Sequence, residues 1–251
     1  MESKEFGKYT LLEHMGRGGM GVVYRAVNNE DGSIAAIKIF ESGPERSPAD
    51  SRRLRDREVK MLLNVQHPNI VQFREGGEID SDYYYAMEFV PNSLLQCMRG
   101  KEDLSLVDKV HVLRQTVNAL AAIHHQGIVH RDVKPGNILM EQPTDGPIHV
   151  KLTDLGIAKS VSEPDIVREQ MPSRVPGTPK YLSPEQIRGE PMDGRADIFS
   201  LGVVAYELLT GSPPFAAEKS QEYLKANTDQ IQKPAHETMT INTSGRRIRQ
   251  M

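Results

Sequence analysis

Hydrophobic positions along the chain follow two different periods. Up to about residue 90, short runs rich in β-branched and aromatic residues alternate with turn-forming Asn, Asp and Gly, which is typical of an antiparallel sheet. The five predicted strands cover residues 9–14, 22–27, 34–40, 70–73 and 83–89. Beyond Ser105, apolar residues recur three and four positions apart, as on one face of a helix. The pattern therefore predicts an α+β protein with a β-rich first part and a mainly helical remainder.

Helix-start and helix-stop signals bound three predicted helices. Ser47, a good N-cap that precedes a proline, predicts a helix over about 47–64, and Glu58 lies on its apolar stripe. A carboxylate that faces a core needs a cationic partner. Two further helices are predicted over about 105–127 and 196–210, and each is followed or ended by a glycine.

Composition and charge exclude several classes of protein. The chain has 251 residues, a net charge of −3 and 38% hydrophobic residues, which suits one large domain or two joined lobes rather than a nucleic-acid-binding protein. Its one cysteine, Cys97, allows no internal disulfide and fits a reducing compartment. The charged N-terminus is unlike a signal peptide, and no apolar stretch could span a membrane. We therefore expect a cytoplasmic protein with no membrane segment and no nucleic-acid partner.

Residues 16–21 read Gly-Arg-Gly-Gly-Met-Gly and fit the pattern G-x-G-x-x-G. Glycines allow a backbone to approach a phosphate closely and to present N–H groups to it. A dinucleotide-binding fold needs a helix directly after these glycines, but a strand is predicted here. A hairpin folded over phosphates is therefore favoured, and a plain flexible turn is the alternative for this motif alone.

Lys38 ends the apolar run Ala-Ala-Ile-Lys in a predicted strand. An ammonium group is costly to bury unless an anion pairs with it, and Glu58 or the phosphates of a nucleotide are suitable anions. Glu58 follows Lys38 by 20 residues, which leaves room for a loop and about three helical turns. If Lys38 is considered alone, a snorkelling surface lysine is the alternative.

The most specific segment covers residues 130–137 and reads His-Arg-Asp-Val-Lys-Pro-Gly-Asn, which matches the kinase catalytic loop H-R-D-x-x-x-x-N. Further along, residues 154–156 stand where the D-F-G motif belongs, 183–185 where A-P-E belongs, and 197–202 where D-x-W-S-x-G belongs. In their order and spacing over about residues 9–215, these motifs resemble those of the eukaryotic-type (Hanks-type) Ser/Thr protein kinases, and in particular those of the bacterial members.

This resemblance implies a bilobal fold. Residues 1–90 would form an ATP-binding lobe with five antiparallel strands and one helix, and residues 91–227 a mainly helical catalytic and substrate lobe. That second lobe is expected to be incomplete, because the late arginine segment whose Arg pairs with Glu185 in the family is not found in the sequence. Residues 228–251 are expected to be a poorly defined tail.

The resemblance also implies a role for each catalytic position. Asp132 would accept the proton of the substrate hydroxyl, and Lys134 would steady the γ-phosphate of ATP. Lys38 would hold the α- and β-phosphates and pair with Glu58. Thr178 is a further candidate catalytic position, and together with Lys134 it favours protein substrates with serine or threonine over tyrosine.

Mg²⁺ and ATP are the cofactors that the resemblance implies. Asn137 and Asp154 would bind the Mg²⁺, which prefers hard oxygen ligands. Adenine would lie between Val23 and Ala36 on one side and Leu139 on the other. The remaining candidate nucleotide-binding positions are Gly16, Arg17, Gly18, Gly21, Lys38, Met87, Glu88 and Val90.

An activation loop is expected over about residues 157–182, and we predict autophosphorylation at Ser173, with the phosphate paired to Arg131. Ser160 and Ser162 are alternative sites, and Ser173 could equally be an ordinary solvated loop serine. The main alternative function is a truncated or pseudokinase-like ATP-binding scaffold without turnover. A small-molecule phosphotransferase is a further alternative, but residues 177–185 resemble protein kinases instead.

Overall fold

The computed structural model describes residues 4–18, 21–40, 65–80, 82–100, 104–141, 146–155, 159–160, 179–188 and 190–214. They form a β lobe, which extends to residue 88, and a larger helical lobe that begins at residue 92. Every helix in the described ranges is too short or too polar to cross a membrane. The helix predicted over 47–64 lies outside these ranges.

One antiparallel sheet makes up the β lobe. Its strands are β1 (Lys4–Phe6), β2 (Tyr9–Gly18), β3 (Gly21–Asn28), β4 (Ile34–Phe40), β5 (Phe73–Ile79) and β6 (Asp82–Glu88). Their spatial order is β1-β2-β3-β4-β6-β5. The predicted antiparallel lobe is thus confirmed, but the sheet has six strands rather than five. The additional strand, β1, has a single apolar residue, Phe6, whose ring lies edge-on to Tyr84 with centroids 5.3 Å apart.

The strand predicted over 70–73 is also shifted. β5 begins only at Phe73, whereas the preceding residues run along the large lobe. Ile70 forms a parallel bridge with Leu152, the Val71 N–H donates to the Leu152 carbonyl at 3.0 Å, and the Leu152 N–H donates to the Asn69 carbonyl at 2.8 Å. This short segment therefore hydrogen-bonds one lobe to the other.

The helical lobe contains four helices and five short strands among the described residues. They are β7 (Asn92–Ser93), α1 (Leu94–Gly100), α2 (Leu106–His124), β8 (Ile128–Val129), β9 (Ile138–Glu141), β10 (His149–Leu152), β11 (Lys159–Ser160), α3 (Pro184–Arg188) and α4 (Arg195–Thr210). Strands β10, β9 and β7 form one small sheet, and β11 pairs with β8. Helix α1 was not predicted, because it is only 7 residues long and shows no extended apolar period.

Local capping explains where the long helices begin and end. The Ser105 hydroxyl accepts the Asp108 N–H at 3.1 Å, so α2 begins where the N-cap predicted. Helix α4 ends at Gly211, whose φ of 79° is the left-handed conformation that glycine adopts without a steric penalty. Between these helices and β10 lies the main core, whose most buried members include Val112, Leu120, Ile123, Val150, Leu152 and Val204.

Candidate active site

The loop between β8 and β9 brings three predicted catalytic side chains together. Asp132 is buried, with 7% of its surface exposed, and its Oδ2 accepts a hydrogen bond from the Lys134 ammonium at 2.6 Å. The Asn137 amide Nδ2 donates to the same oxygen at 2.9 Å and to the Asp132 carbonyl at 2.8 Å. One carboxylate oxygen is thus held by two donors.

Lys38 of β4 is only 5% exposed, so its ammonium group needs an anion. Its Nζ lies 2.9 Å from Oδ1 of Asp154. The same Nζ lies 5.5 Å from the centroid of the Tyr85 ring, which is within the range of a cation–π contact. Burial would raise the pKa of Asp154, but the charge and hydrogen bond of Lys38 lower it below its ordinary value. Asp154 therefore stays ionised at neutral pH.

Two of these motif residues adopt a backbone conformation that residues other than glycine rarely take. Arg131 has φ 68° and Asp154 has φ 67°. Such conformations cost free energy and persist only where surrounding contacts impose them. At Arg131 the contacts come from both sides of the peptide: its N–H donates to Asp197 at 2.7 Å, and its carbonyl accepts the Gln186 side-chain amide at 2.8 Å.

Asp197, in the first turn of α4, anchors the catalytic loop although the sequence analysis assigned it no role. It is fully buried, and its carboxylate accepts the backbone N–H groups of His130 at 2.8 Å and of Arg131 at 2.7 Å. The Nε2 of His124, at the end of α2, lies 2.7 Å from the same carboxylate. An acidic residue inside an otherwise apolar helix was the available signal, because a buried carboxylate needs such partners.

A second link joins the catalytic loop to the segment after β10 that carries Asp154. The Nε2 of His130 lies 2.9 Å from the carbonyl of Thr153, directly before Asp154. Leu155, where the family carries Phe, is 1% exposed and packs in the main core. The substitution thus keeps an apolar contact at this position.

The predicted adenine-binding side chains also converge. Ala36 and Met87 belong to one apolar cluster, and Val23 and Leu139 pack against it. Residues 88–90 connect β6 to the large lobe and stand where the resemblance to protein kinases implies the hinge, whose backbone groups would bond the adenine edge. Val90, the last hinge residue, is 7% exposed. Side chains from both lobes therefore meet in one apolar cluster, and Lys38 lies over the rings of two of its members, Phe40 and Tyr85.

The glycine-rich segment is a hairpin, since β3 follows it rather than a helix. Gly18 pairs with Gly21 and Gly16 pairs with Val23, with Arg17 opposite Val22. At Gly21 the φ is 153°, and a Cβ atom would clash with the backbone carbonyl of Ile39. A side chain is thus excluded at Gly21, and the dinucleotide-binding alternative is ruled out for this segment.

Some predicted site residues lie outside the described residues: Glu58, Thr178, Ser173 and Ser162. Ser160 falls in β11, whose side chains are not described. Within the described ranges no cation lies at ion-pair distance from Glu185. Because Glu58 and Ser173 lie outside the described residues, the pairing of Lys38 with Glu58 and that of Ser173 with Arg131 stay predictions.

Comparison with known proteins identifies the family. The model of the protein kinase domain matches residues 9–249. The chain belongs to the protein kinase family. This match continues well past residue 215, where the recognisable motifs end.

Several curated bacterial Ser/Thr kinases are similar to this kinase domain. A probable serine/threonine-protein kinase PknB of Lactococcus lactis is 34% identical over 85% of the chain, and PkaA of Streptomyces coelicolor is 37% identical over 86%. PknA of Mycobacterium tuberculosis is 38% identical over 84%. The chain spans 33%, 41% and 49% of the length of these three relatives, respectively.

The residues of this kinase domain fit MgATP. Asn137 uses its amide nitrogen on Asp132, so its carbonyl oxygen is the atom left for a metal ion. Asp154 offers an ionised carboxylate, and two oxygen ligands with bound phosphates are a usual Mg²⁺ environment. Lys38 and Lys134 supply the positive charge that a triphosphate needs.

Proposed function

We propose that this chain is the catalytic region of a Ser/Thr protein kinase, which transfers the γ-phosphate of ATP to a serine or threonine hydroxyl of a protein. The observations that support it most are two groups of side-chain contacts: Lys38 of the β lobe is ion-paired with Asp154, and Lys134 and Asn137 both bond to Asp132. The His130 side chain joins the two groups, because it contacts the carbonyl of Thr153, directly before Asp154. These residues come from β4, the catalytic loop and the segment that follows β10. Three of them, Lys38, Asp132 and Asn137, are buried, and buried polar groups that find partners across separate segments favour a functional site.

In the proposed reaction, the oxygen of the substrate hydroxyl bonds to the γ-phosphorus, and Asp132 receives the proton of that hydroxyl. The bond between that phosphorus and the β,γ-bridging oxygen breaks, and ADP leaves with its electron pair. Lys134 lies 2.6 Å from Asp132, so its ammonium is next to the position where charge develops on the transferred group. Mg²⁺ held by Asn137 and Asp154 would neutralise phosphate charge.

Phosphate transfer from radiolabelled MgATP to the chain itself and to a generic protein substrate tests this function. Asp132→Asn is the matched control, because it preserves shape and hydrogen bonding but removes the proton acceptor. We expect transfer by the wild type and loss of at least about 100-fold in the variant, within the usual contribution of general-base catalysis. Equal transfer by both proteins would contradict the assigned role of Asp132.

A wild type that binds MgATP without transferring phosphate would instead support the ATP-binding scaffold. The same labelled protein tests autophosphorylation at Ser173, since peptide mapping locates the phosphate. Active protein labelled elsewhere, or unlabelled, would contradict that site. A cytoplasmic location is part of the proposal and rests on the single cysteine.

A further inference from the structure

Glu88 lies where β6 ends and the connection to the large lobe begins. Its Oε1 accepts two hydrogen bonds, one from the backbone N–H of Gln72 at 2.6 Å and one from the Lys151 ammonium at 2.7 Å. The Glu88 N–H in turn donates to the Gln72 carbonyl at 2.9 Å. The first hinge residue is therefore bound through both its backbone and its side chain.

Lys151, the partner of Glu88 in this ion pair, belongs to the large lobe. It lies in β10 directly opposite Leu139 of β9, so the two side chains lie on the same face of the small sheet. Leu139 packs against the apolar cluster that includes Ala36 and Met87, and that face is therefore directed toward the β lobe. The ion pair of Lys151 and Glu88 thus crosses between the lobes beside the proposed adenine site.

Both side chains of the pair are shielded from solvent, since Lys151 is 22% exposed and Glu88 is 23% exposed. Salt screens a partly buried ion pair less than a fully exposed one. The next hinge residue, Phe89, is covered by the guanidinium of Arg25 at 5.5 Å from its ring centroid. Phe89 also packs against the apolar cluster of Ala36 and Met87, so the hinge peptide is restrained at this residue as well.

We propose that Lys151 is a positioning residue for the nucleotide. Through its ion pair with Glu88 it holds the hinge peptide, and thereby the backbone groups at Glu88 and Val90, in the orientation that binds the adenine edge. This inference rests on the proposed kinase function and adds to it a residue outside the catalytic motifs. Lys151 does not contact the reacting atoms, so it affects nucleotide affinity rather than phosphate transfer.

The test replaces Lys151 by Met, which keeps the length of the side chain and removes its charge. Titration calorimetry with MgATP is expected to give a Kd about threefold to fivefold above that of the wild type, near the upper end for partly exposed ion pairs. The KM for ATP should rise in parallel while kcat stays within about twofold, because this binding is shared by ground and transition states. Lys151→Arg should restore wild-type affinity.

Glu88→Gln shows whether Lys151 acts through Glu88. Glutamine keeps an oxygen for the Gln72 N–H but loses the charge that Lys151 needs. Glu88→Gln should therefore raise the Kd as Lys151→Met does, and the double variant should bind no more weakly than either single variant. Additive effects would overturn the inference, because they would place the action of Lys151 elsewhere.

Lys8→Met is the matched control for a general loss of stability. Lys8 is 32% exposed and forms a 2.7 Å ion pair with Glu75 in the β lobe, away from the hinge. It should leave the Kd for MgATP unchanged. If Lys151→Met lowers only the melting temperature and binds MgATP like the wild type, the inference is wrong while the proposed function stands. A wild type that binds no MgATP would overturn both.

Discussion

Replacing Asp197 by Ala should both destabilise the protein and disorganise its catalytic loop. The change removes the only carboxylate that accepts the backbone N–H groups of His130 and Arg131, at 2.8 and 2.7 Å, among the described residues. His130 is fully buried, so water cannot replace the lost acceptor there. Leaving two such donors unpaired costs about 1–3 kcal/mol each, or about 2–6 kcal/mol together. Ordinary domains have a free energy of unfolding of about 5–15 kcal/mol, so this loss amounts to about half of the total stability.

The catalytic effect follows from the backbone of Arg131. Its φ of 68° is unfavourable and is imposed in part by the bond to Asp197. Without that bond the loop relaxes, and Asp132 leaves its place beside Lys134. We expect kcat to fall more than about tenfold, which corresponds to roughly 1.4 kcal/mol, whereas the Kd for MgATP should change little. Asp197→Asn keeps one oxygen acceptor, so it should lose about half as much stability.

Urea unfolding and phosphate transfer measure the two effects, at a temperature where circular dichroism shows the variant to be folded. Asp193→Ala is the matched control, because Asp193 precedes the same helix, and its half-exposed carboxylate binds the backbone N–H and the guanidinium of Arg195 rather than the catalytic loop. The control should lower the free energy of unfolding by at most about 1 kcal/mol and should leave kcat unchanged. If Asp197→Ala kept the wild-type midpoint and kcat, the anchoring argument would be refuted.

Three further predictions concern other parts of the chain. Ser105→Ala removes the N-cap of α2 and should lower the free energy of unfolding by about 1 kcal/mol in urea, whereas Ser105→Thr, which keeps the hydroxyl that accepts the Asp108 N–H and donates to its carboxylate, should not. Gly21→Ala forces a Cβ against the Ile39 carbonyl, so MgATP titration should show weaker binding, and wild-type affinity would contradict the hairpin geometry. Burial would raise the pKa of Glu75, but hydrogen bonds from Lys8 and a tyrosine lower it. Since the folded pKa is the lower one, Glu75 stabilises the fold above its unfolded pKa of about 4.3, and this contribution disappears as the pH falls through the folded value. Acid titration of Glu75→Gln should therefore show a shallower loss of stability than the wild type, and parallel curves would contradict this.

Local signals in the sequence were enough for the long helix and for the motifs. The capping serine and the apolar period placed α2 correctly, because both act within a few residues of the chain. The catalytic-loop motif likewise pointed to Asp132 and Asn137, which are five positions apart and whose side chains are bonded directly. Contacts between residues that are close in sequence, and motifs of specific chemistry, could therefore be predicted.

Only the tertiary structure decided the contacts between distant segments. Asp197 reaches back 66 residues to Arg131, and Lys38 pairs with Asp154 across 116 residues. The hinge contact of Lys151 with Glu88 joins strands of different lobes. No local period or turn signal encodes such pairs, because their geometry depends on how the sheet and helices pack. Burial then makes each of them necessary, since a charged group taken out of water must find a partner wherever the fold places one.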